Sequence, residues 1–306
     1  MTTSNAPDAA PAKKKKGELY RFRARTAFKF LVPTFVIMLA VAIYPLGRTI
    51  FLSFTDYSFF EERSEFVGID NYIYLFKDYE WRSALWNTLF FAVASVFLQL
   101  VIGMGFALVL NANFPGRRFA RAANLIPLVV ALTVASQLWK WMYHDIFGVV
   151  NDICLRLGIL ERSIAWLDNP KTAMWAVIAM ATWKFVPFVT ILLLAAMQSI
   201  PGELYEAAGI DGAGPVQKFR HVTLPMLKGA IGVVLVFRML DALRVFDIMY
   251  VMTGNANSTV TMSMYARQQM IEFGLMGYGS AASVAIFGVI LLGTMLYMRM
   301  LKLETH

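Results

Sequence analysis

Residues 83–116 read SALWNTLFFAVASVFLQLVIGMGFALVLNANFPG, 34 positions without one Asp, Glu, Lys or Arg. A helix needs about 20 mostly apolar residues to cross a bilayer, so this stretch alone is long enough to span one. Five further charge-free stretches flank it, at 30–47, 122–139, 185–202, 248–266 and 273–298. The fourth and fifth crossings begin before their charge-free runs and carry charges inside them: Lys184 in the fourth, Arg238, Asp241, Arg244 and Asp247 in the fifth. The pattern predicts six transmembrane helices, at roughly 28–54, 84–110, 122–142, 172–198, 229–252 and 279–300. Composition agrees. Of 306 residues 58% are hydrophobic and only 16% charged, against about 25% charged in soluble proteins. That balance excludes a soluble two-domain protein and a disordered chain. The fold class is an all-α integral membrane protein, with a membrane domain over 28–306.

Residues 1–27 precede it as a basic tail, rich in Ala and Pro, with the run Lys13–Lys16 and no apolar periodicity. This reads as a disordered cytoplasmic segment beside the membrane, a topology signal rather than a nucleic-acid arm. The first apolar span starts too late and runs too long for a cleaved signal peptide. Of the 28 Lys and Arg residues, sixteen fall in the segments on the N-terminal side of the membrane and eight on the other. The positive-inside rule therefore places both termini in the cytoplasm. Trp139, Trp141, Trp166 and Trp175 fall near outer boundaries, as an aromatic belt would. The apolar positions of 146–160 recur at helical spacing and predict an amphipathic helix on the outer face.

No catalytic constellation is present. A phosphate-cradling G-x-x-x-x-G-K-[ST] loop is missing, so ATP is not bound here. The three histidines are scattered, and the one cysteine, Cys154, permits neither an internal disulfide nor a zinc site. Inside the membrane, Arg238, Asp241, Arg244 and Asp247 stand three apart and can pair on a helix surface. They read either as a salt-bridge ladder that fixes helix packing or as a polar lining for a translocation pathway. Lys184 has no acid within four positions, so it either faces the pathway or pairs with Asp241 or Asp247.

Between the fourth and fifth crossings, at 200–227, lies a loop with strong turn signals. Glu203–Ile210 favours a short helix, Asp211-Gly212 and Gly214-Pro215 end it, and a second piece leads to Pro225. Its residues Glu206, Ala207, Ala208, Asp211, Gly212, Ala213, Phe219, Leu224 and Pro225 resemble the coupling loop of ABC-importer permeases, E-A-A-x-x-D-G-A-x5-F and then I-x-L-P, with Val222 in place of Ile. Phe66–Tyr72 is similar to an outer-loop motif of the carbohydrate-type permeases. The segment from Phe237 to Asp247 resembles the fifth-helix signature of their maltose/glycerol-phosphate branch, and within it the first, maltose-permease F-like subunit. One departure stands out: Thr253-Gly254-Asn255-Ala256-Asn257 replaces the usual Thr-Gly-Gly-Gly-Pro.

The resemblance implies a type I ABC-importer permease fold in a bacterial inner membrane. It implies a sugar or sugar derivative as cargo, moved inward by alternating access. Implied partners are a second homologous permease, two ATPase subunits that bind ATP and Mg, an extracytoplasmic solute-binding protein and membrane lipid. In that frame Glu206 is the electrostatic contact with the ATPase, the small residues permit close docking, and Phe219 and Leu224 anchor the loop to its own core. The rival is an ion-coupled secondary transporter whose Arg/Asp ladder relays protons. It predicts activity from this chain alone and an internal repeat, which the sequence does not show.

Overall fold

The computed structural model describes residues 26–61, 64–256 and 258–301. The tail expected at 1–27 lies outside them but for its last two positions. All regular structure among the described residues is helical, apart from an isolated antiparallel bridge between Thr55 and Phe66. The chain divides into two compact units, 1–51 and 52–306. In the first, helix α1 runs over Thr26–Leu52. A π-helical turn, Leu39–Ile43, widens it just before Pro45, where the ring cannot donate to the preceding turn.

The second unit is built on α3 (Tyr79–Asn111) and α7 (Ala173–Gln198), the two most extensively packed neighbours in the chain. A short α2 (Asp70–Lys77) precedes them. Here the motif Phe66–Tyr72 is sewn to the residues that follow Leu52. The Asn71 amide donates to the carbonyls of Ser53 and Thr55 at 3.0 and 2.8 Å, and the Tyr72 hydroxyl to Ser53 Oγ at 2.7 Å. Helix α3 starts five residues before the expected position 84, because Asp78 caps it by accepting from the Glu80 N–H at 2.7 Å. Charge-free counting misses this, since Glu80 and Arg82 belong to the helix's outer turn.

Between hydrocarbon-soaked helices no water is left to expel, so association relies on close contact and interhelical hydrogen bonds. Gly103 of α3 supplies the contact: a Cβ there would sit 2.7 Å from Val189 Cγ1 on α7. The Gln99 amide donates to the Ala181 carbonyl and the Thr190 hydroxyl to the Gly103 carbonyl, each at 3.4 Å. Helix α7 is buried on most of its circumference, with Val177, Met180, Val189 and Leu193 wholly enclosed.

Two expected crossings are not continuous helices. The third, expected over 122–142, is α4 (Arg117–Val129) followed by α5 (Leu132–Met142), bent by 94°. Pro127 lies inside α4, and Val130 and Ala131 are extended, at ψ 132° and 141°. The proline removes a backbone donor and clashes with the preceding turn, which weakens the end of α4. The segment after α5 then folds a short α6 (Val149–Arg156) around buried Asn151, whose amide reaches the carbonyls of His144, Asp145 and Ile164. Ile146, Ile153 and Leu157 around it are exposed, in keeping with the expected amphipathic surface helix.

The fifth crossing, expected over 229–252, breaks into α10 (Lys228–Leu243) and α11 (Asp247–Thr253). At 16 residues α10 is shorter than the roughly 20 a crossing takes. Between the fourth and fifth crossings come α8 (Gly202–Ile210) and α9 (Pro215–Lys218). Helix α12 (Met262–Arg267), a π-helical turn Gln268–Glu272 and α13 (Met276–Leu301) complete the chain. Among the described residues α1, α3, α7 and the Met276–Leu296 part of α13 are long and apolar enough to span a bilayer, and the bent pair α4–α5 makes a fifth when counted as one span.

Replacing Gly103 with Leu should force α3 off α7 and cost about 1–3 kcal/mol as an overpacked contact. Gly105→Leu, two positions on and facing open space, should cost little. Thermal denaturation of the two variants in the same detergent checks the difference; equal midpoints would remove the close contact as a source of stability.

Candidate functional site

The coupling segment grows directly from the central helix. Helix α7 ends at Gln198, and after three residues α8 begins behind Pro201. Gly212 turns the chain at φ +77°, a left-handed conformation that suits glycine. Pro215 then opens α9 at its first position, where a missing N–H costs nothing. Gly214 N donates to Gln217 Oε1 at 2.8 Å, and a π-helical turn, Phe219–Thr223, leads to Leu224–Met226. The two arms are tied by a 3.0 Å hydrogen bond between the Tyr205 and Thr223 hydroxyls. Lys218 lies over Gly209, where an added Cβ would stand 3.0 Å from its ammonium.

Glu206, Ala207, Asp211 and Gly212 are exposed on this helix–turn–helix, and Ala208 and Ala213 are half-buried. Glu206 forms no salt bridge among the described residues. Beside it Ile210 is 87% and Val216 78% exposed, an apolar pair that motif reading passed over. Phe219 packs against the cluster of Met104, Leu193, Met197 and Leu227. Leu224, expected to be an anchor, is 37% exposed. The π turn shifts the helical phase, so Thr223 and Leu227 point inward instead; Pro225 is exposed.

The second feature is a cavity of about 410 Å³ at the break in the fifth crossing, lined by Phe91, Phe185, Arg238, Asp241, Arg244 and Asp247 among others. Arg238 is buried. Its Nε donates to Gln99 Oε1 at 2.9 Å and its Nη1 to Asp241 Oδ2 at 3.0 Å, and its guanidinium lies 3.8 Å from the centre of the Phe185 ring. Paired, hydrogen-bonded and stacked, it meets the conditions under which an arginine is tolerated at depth. Asp241 also accepts from Arg244 Nη2 at 3.4 Å. Three of the four charges thus form the expected ladder. Asp247 does not join it, because the helix breaks at Arg244–Phe246 and the residue opens α11, where the helix dipole favours an acid.

Lys184 lies elsewhere. It is 5% exposed and forms no salt bridge among the described residues. Its ammonium donates to the carbonyls of Pro127 at 2.7 Å, of Leu128 at 3.2 Å and of Val130. The expected pairing with Asp241 or Asp247 is corrected: Lys184 caps the carboxyl end of α4 instead. Backbone carbonyls carry no sequence signature, which is why spacing could not find them.

The atypical 253–257 loop has its own clasp. Gly254 adopts φ +58°, and the Asn255 amide donates to both Glu272 oxygens at 3.1 Å while Arg267 Nη1 approaches Oε1 at 2.8 Å. Asn255 and then Arg267 hold the Glu272 carboxyl below its ordinary range. That contribution is present above the ordinary carboxylate range and is lost as pH falls through the lowered value. Asn257 lies outside the described residues. No cluster of potential metal ligands occurs among the described residues.

Residues 21–303 match the family model of the binding-protein-dependent transport system inner membrane component. The chain is 37% identical over 279 residues to the sulfoquinovosyl glycerol transport system permease protein SmoG of Agrobacterium fabrum, covering 90% of both chains. It is equally similar to the trehalose/maltose transport system permease protein MalF of Thermococcus litoralis, over 90% of this chain and 93% of that one. Its fold matches a chain of a bacterial ABC transporter involved in the import of the acidic polysaccharide alginate, with a TM-score of 0.80 at 23% identity over 94% of this chain and all of the other. The exposed loop, the broken helices and this match over nearly the whole chain agree, and the protein belongs to the family of binding-protein-dependent transport system inner membrane components.

Proposed function

We propose that this chain is the permease subunit of an ATP-driven importer for a sugar or sugar derivative. It is not itself catalytic: a separate ATPase subunit binds ATP and Mg. The observation that carries this reading is the exposed helix–turn–helix at 200–227, tied internally by Tyr205 and Thr223 and continuous with the central helix. A rigid, protruding element of this kind can receive a push from a partner and pass it to the membrane helices as a rigid-body movement. Glu206 offers the charge, and Ile210 and Val216 the apolar surface, on which an ATPase subunit docks. Both termini lie in the cytoplasm, with the loop on the same side. A second homologous permease completes the pathway, and an extracytoplasmic solute-binding protein delivers the cargo.

The cargo class is supported by the cavity and by the relatives. Arginine and aspartate side chains offer donors and acceptors for hydroxyl groups, and Phe91 and Phe185 an apolar face for a sugar ring. With Lys184 withdrawn to α4, the named charges lining the cavity balance, two arginines against two aspartates. The cavity therefore carries no excess of positive charge that would favour an acidic sugar. Membership of a binding-protein-dependent family takes the place of the ion-coupled reading.

Two outcomes test this. Purified in mild detergent from its host, the chain should bring down an ATPase and a second permease, and Glu206→Lys should lose the ATPase while keeping the permease. Retention of the ATPase by the variant would remove Glu206 from the interface. Asp247→Asn removes a charged acceptor from the cavity. The half-saturating concentration for uptake should rise roughly tenfold, the loss expected for a hydrogen bond to a charged group. An unchanged value in a whole-cell uptake assay would place the sugar elsewhere.

A further inference from the structure

The 94° elbow between α4 and α5 needs an explanation, because a chain inside a membrane must satisfy its own backbone polar groups. The last turn of α4 leaves carbonyls without helical partners, and the extended Val130 adds another. Lys184 reaches them from α7 with its three ammonium donors, one to each of the Pro127, Leu128 and Val130 carbonyls. A cation is also what the negative end of a helix dipole favours.

The residues on either side of Lys184 extend the grip. Trp183 packs against Trp139 of α5 as a tilted pair with ring centres 5.7 Å apart, and Phe185 lies under Arg238 of α10. Successive residues of a helix point about 100° apart, so 183, 184 and 185 radiate to three different neighbours. Two of these are the two arms of the elbow. Helix α5 in turn holds the segment beyond the break of the fifth crossing, through Lys140 Nζ and the Val251 carbonyl at 3.1 Å.

We infer that Lys184 is a positioning residue for transport: a latch that fixes the angle of the bent third crossing and couples it to the movement of α7. The inference rests on the importer reading for its functional half. Helix α7 ends where the coupling loop begins, 14 residues and about 21 Å beyond Lys184 at 1.5 Å per residue. A displacement received at Glu206 on α8 passes through the short turn 199–201 into α7, which runs without a break to Lys184. Lys184 delivers it to α4 through the carbonyls, and Trp183 delivers it to α5 through its ring contact with Trp139. The two arms move with α7 instead of flexing independently at Val130–Ala131.

The test uses the full chain in its complex, in lipid nanodiscs, with Cys154→Ser and spin labels at Ile126→Cys on α4 and Leu138→Cys on α5, both exposed positions. With Lys184 present the distance between labels should be narrowly distributed. Lys184→Met should broaden or lengthen it, and Lys184→Arg, which keeps charge and donors, should restore it. In the unlabelled complex, Lys184→Met should lower the maximal uptake rate roughly tenfold, a loss in the range of coupling between distant sites. The half-saturating concentration should stay put, because the residue is not in the cavity; rates compared at equal amounts of recovered complex separate a slowed step from loss of folded protein. Should the Met variant not be recovered, Lys184→Gln takes its place with the same direction expected. A wild-type distance distribution in the Met or Gln variant would overturn the latch. So would a normal maximal rate. Absence of ATP-driven uptake from the unmutated complex would count against the importer reading, while the label distances would still judge the latch.

Discussion

The close approach of α3 and α7 at Gly103 and Val189 is the constraint from which the rest follows. With two backbones this near, Gln99 reaches across to the Ala181 carbonyl with its amide nitrogen and receives Arg238 on its oxygen. One glutamine thereby joins three helices. Arg238, fixed by Gln99, Asp241 and the Phe185 ring, sets the position of α10 and the cavity beside it. A buried charge is costly unless its partners are complete, so these partners act as a set. Removal of Gln99 would leave the buried Nε of Arg238 without its acceptor and loosen the cavity wall beside it.

Helix α7 is central in a second sense, because it meets something different on each side. Val189 and Leu193 face α3, Lys184 faces the end of α4, Trp183 faces α5 and Phe185 faces α10. Its inner end runs into the coupling segment. The molecule therefore has one member that is both buried and mechanically continuous with the exposed loop, and two crossings that are broken. The breaks lie in the crossings packed around that member, while the member itself stays helical through Pro187. Broken helices that line or border a cavity are tolerated in membranes because protein groups satisfy the freed backbone.

Much of this was legible in the sequence. The bounds of α7 were expected to within a residue, since Lys184 interrupts an otherwise apolar run without ending it. The loop at 200–227 was legible in detail, because Gly212, Gly214 and Pro215 prescribe backbone conformations that few other structures require. The elbow was not. Counting charges sees the apolar residues on both sides of Pro127 as one crossing, and a proline in a membrane helix does not by itself end it. The break at Arg244 escaped for a related reason: three-residue spacing implies a ladder only while the helix continues. Lys184 was misplaced because its partners are main-chain oxygens, and Leu224 because a π turn upstream rotates everything after it.

The elbow also sets an order of events when the chain is made. Helices α4 and α5, of 13 and 11 residues, are each too short to be stable across a bilayer alone. The group that completes the α4 carbonyls is encoded 54 residues after Val130. At the usual 5–20 residues per second of synthesis, the bend leaves the ribosome roughly 3–11 s before its lysine. For that interval the segment depends on the insertion machinery or on lipid headgroups to shelter its open carbonyls. The third crossing thus reaches its final form only after the fourth has entered the membrane, and a truncated chain ending between them would be a substrate for quality control.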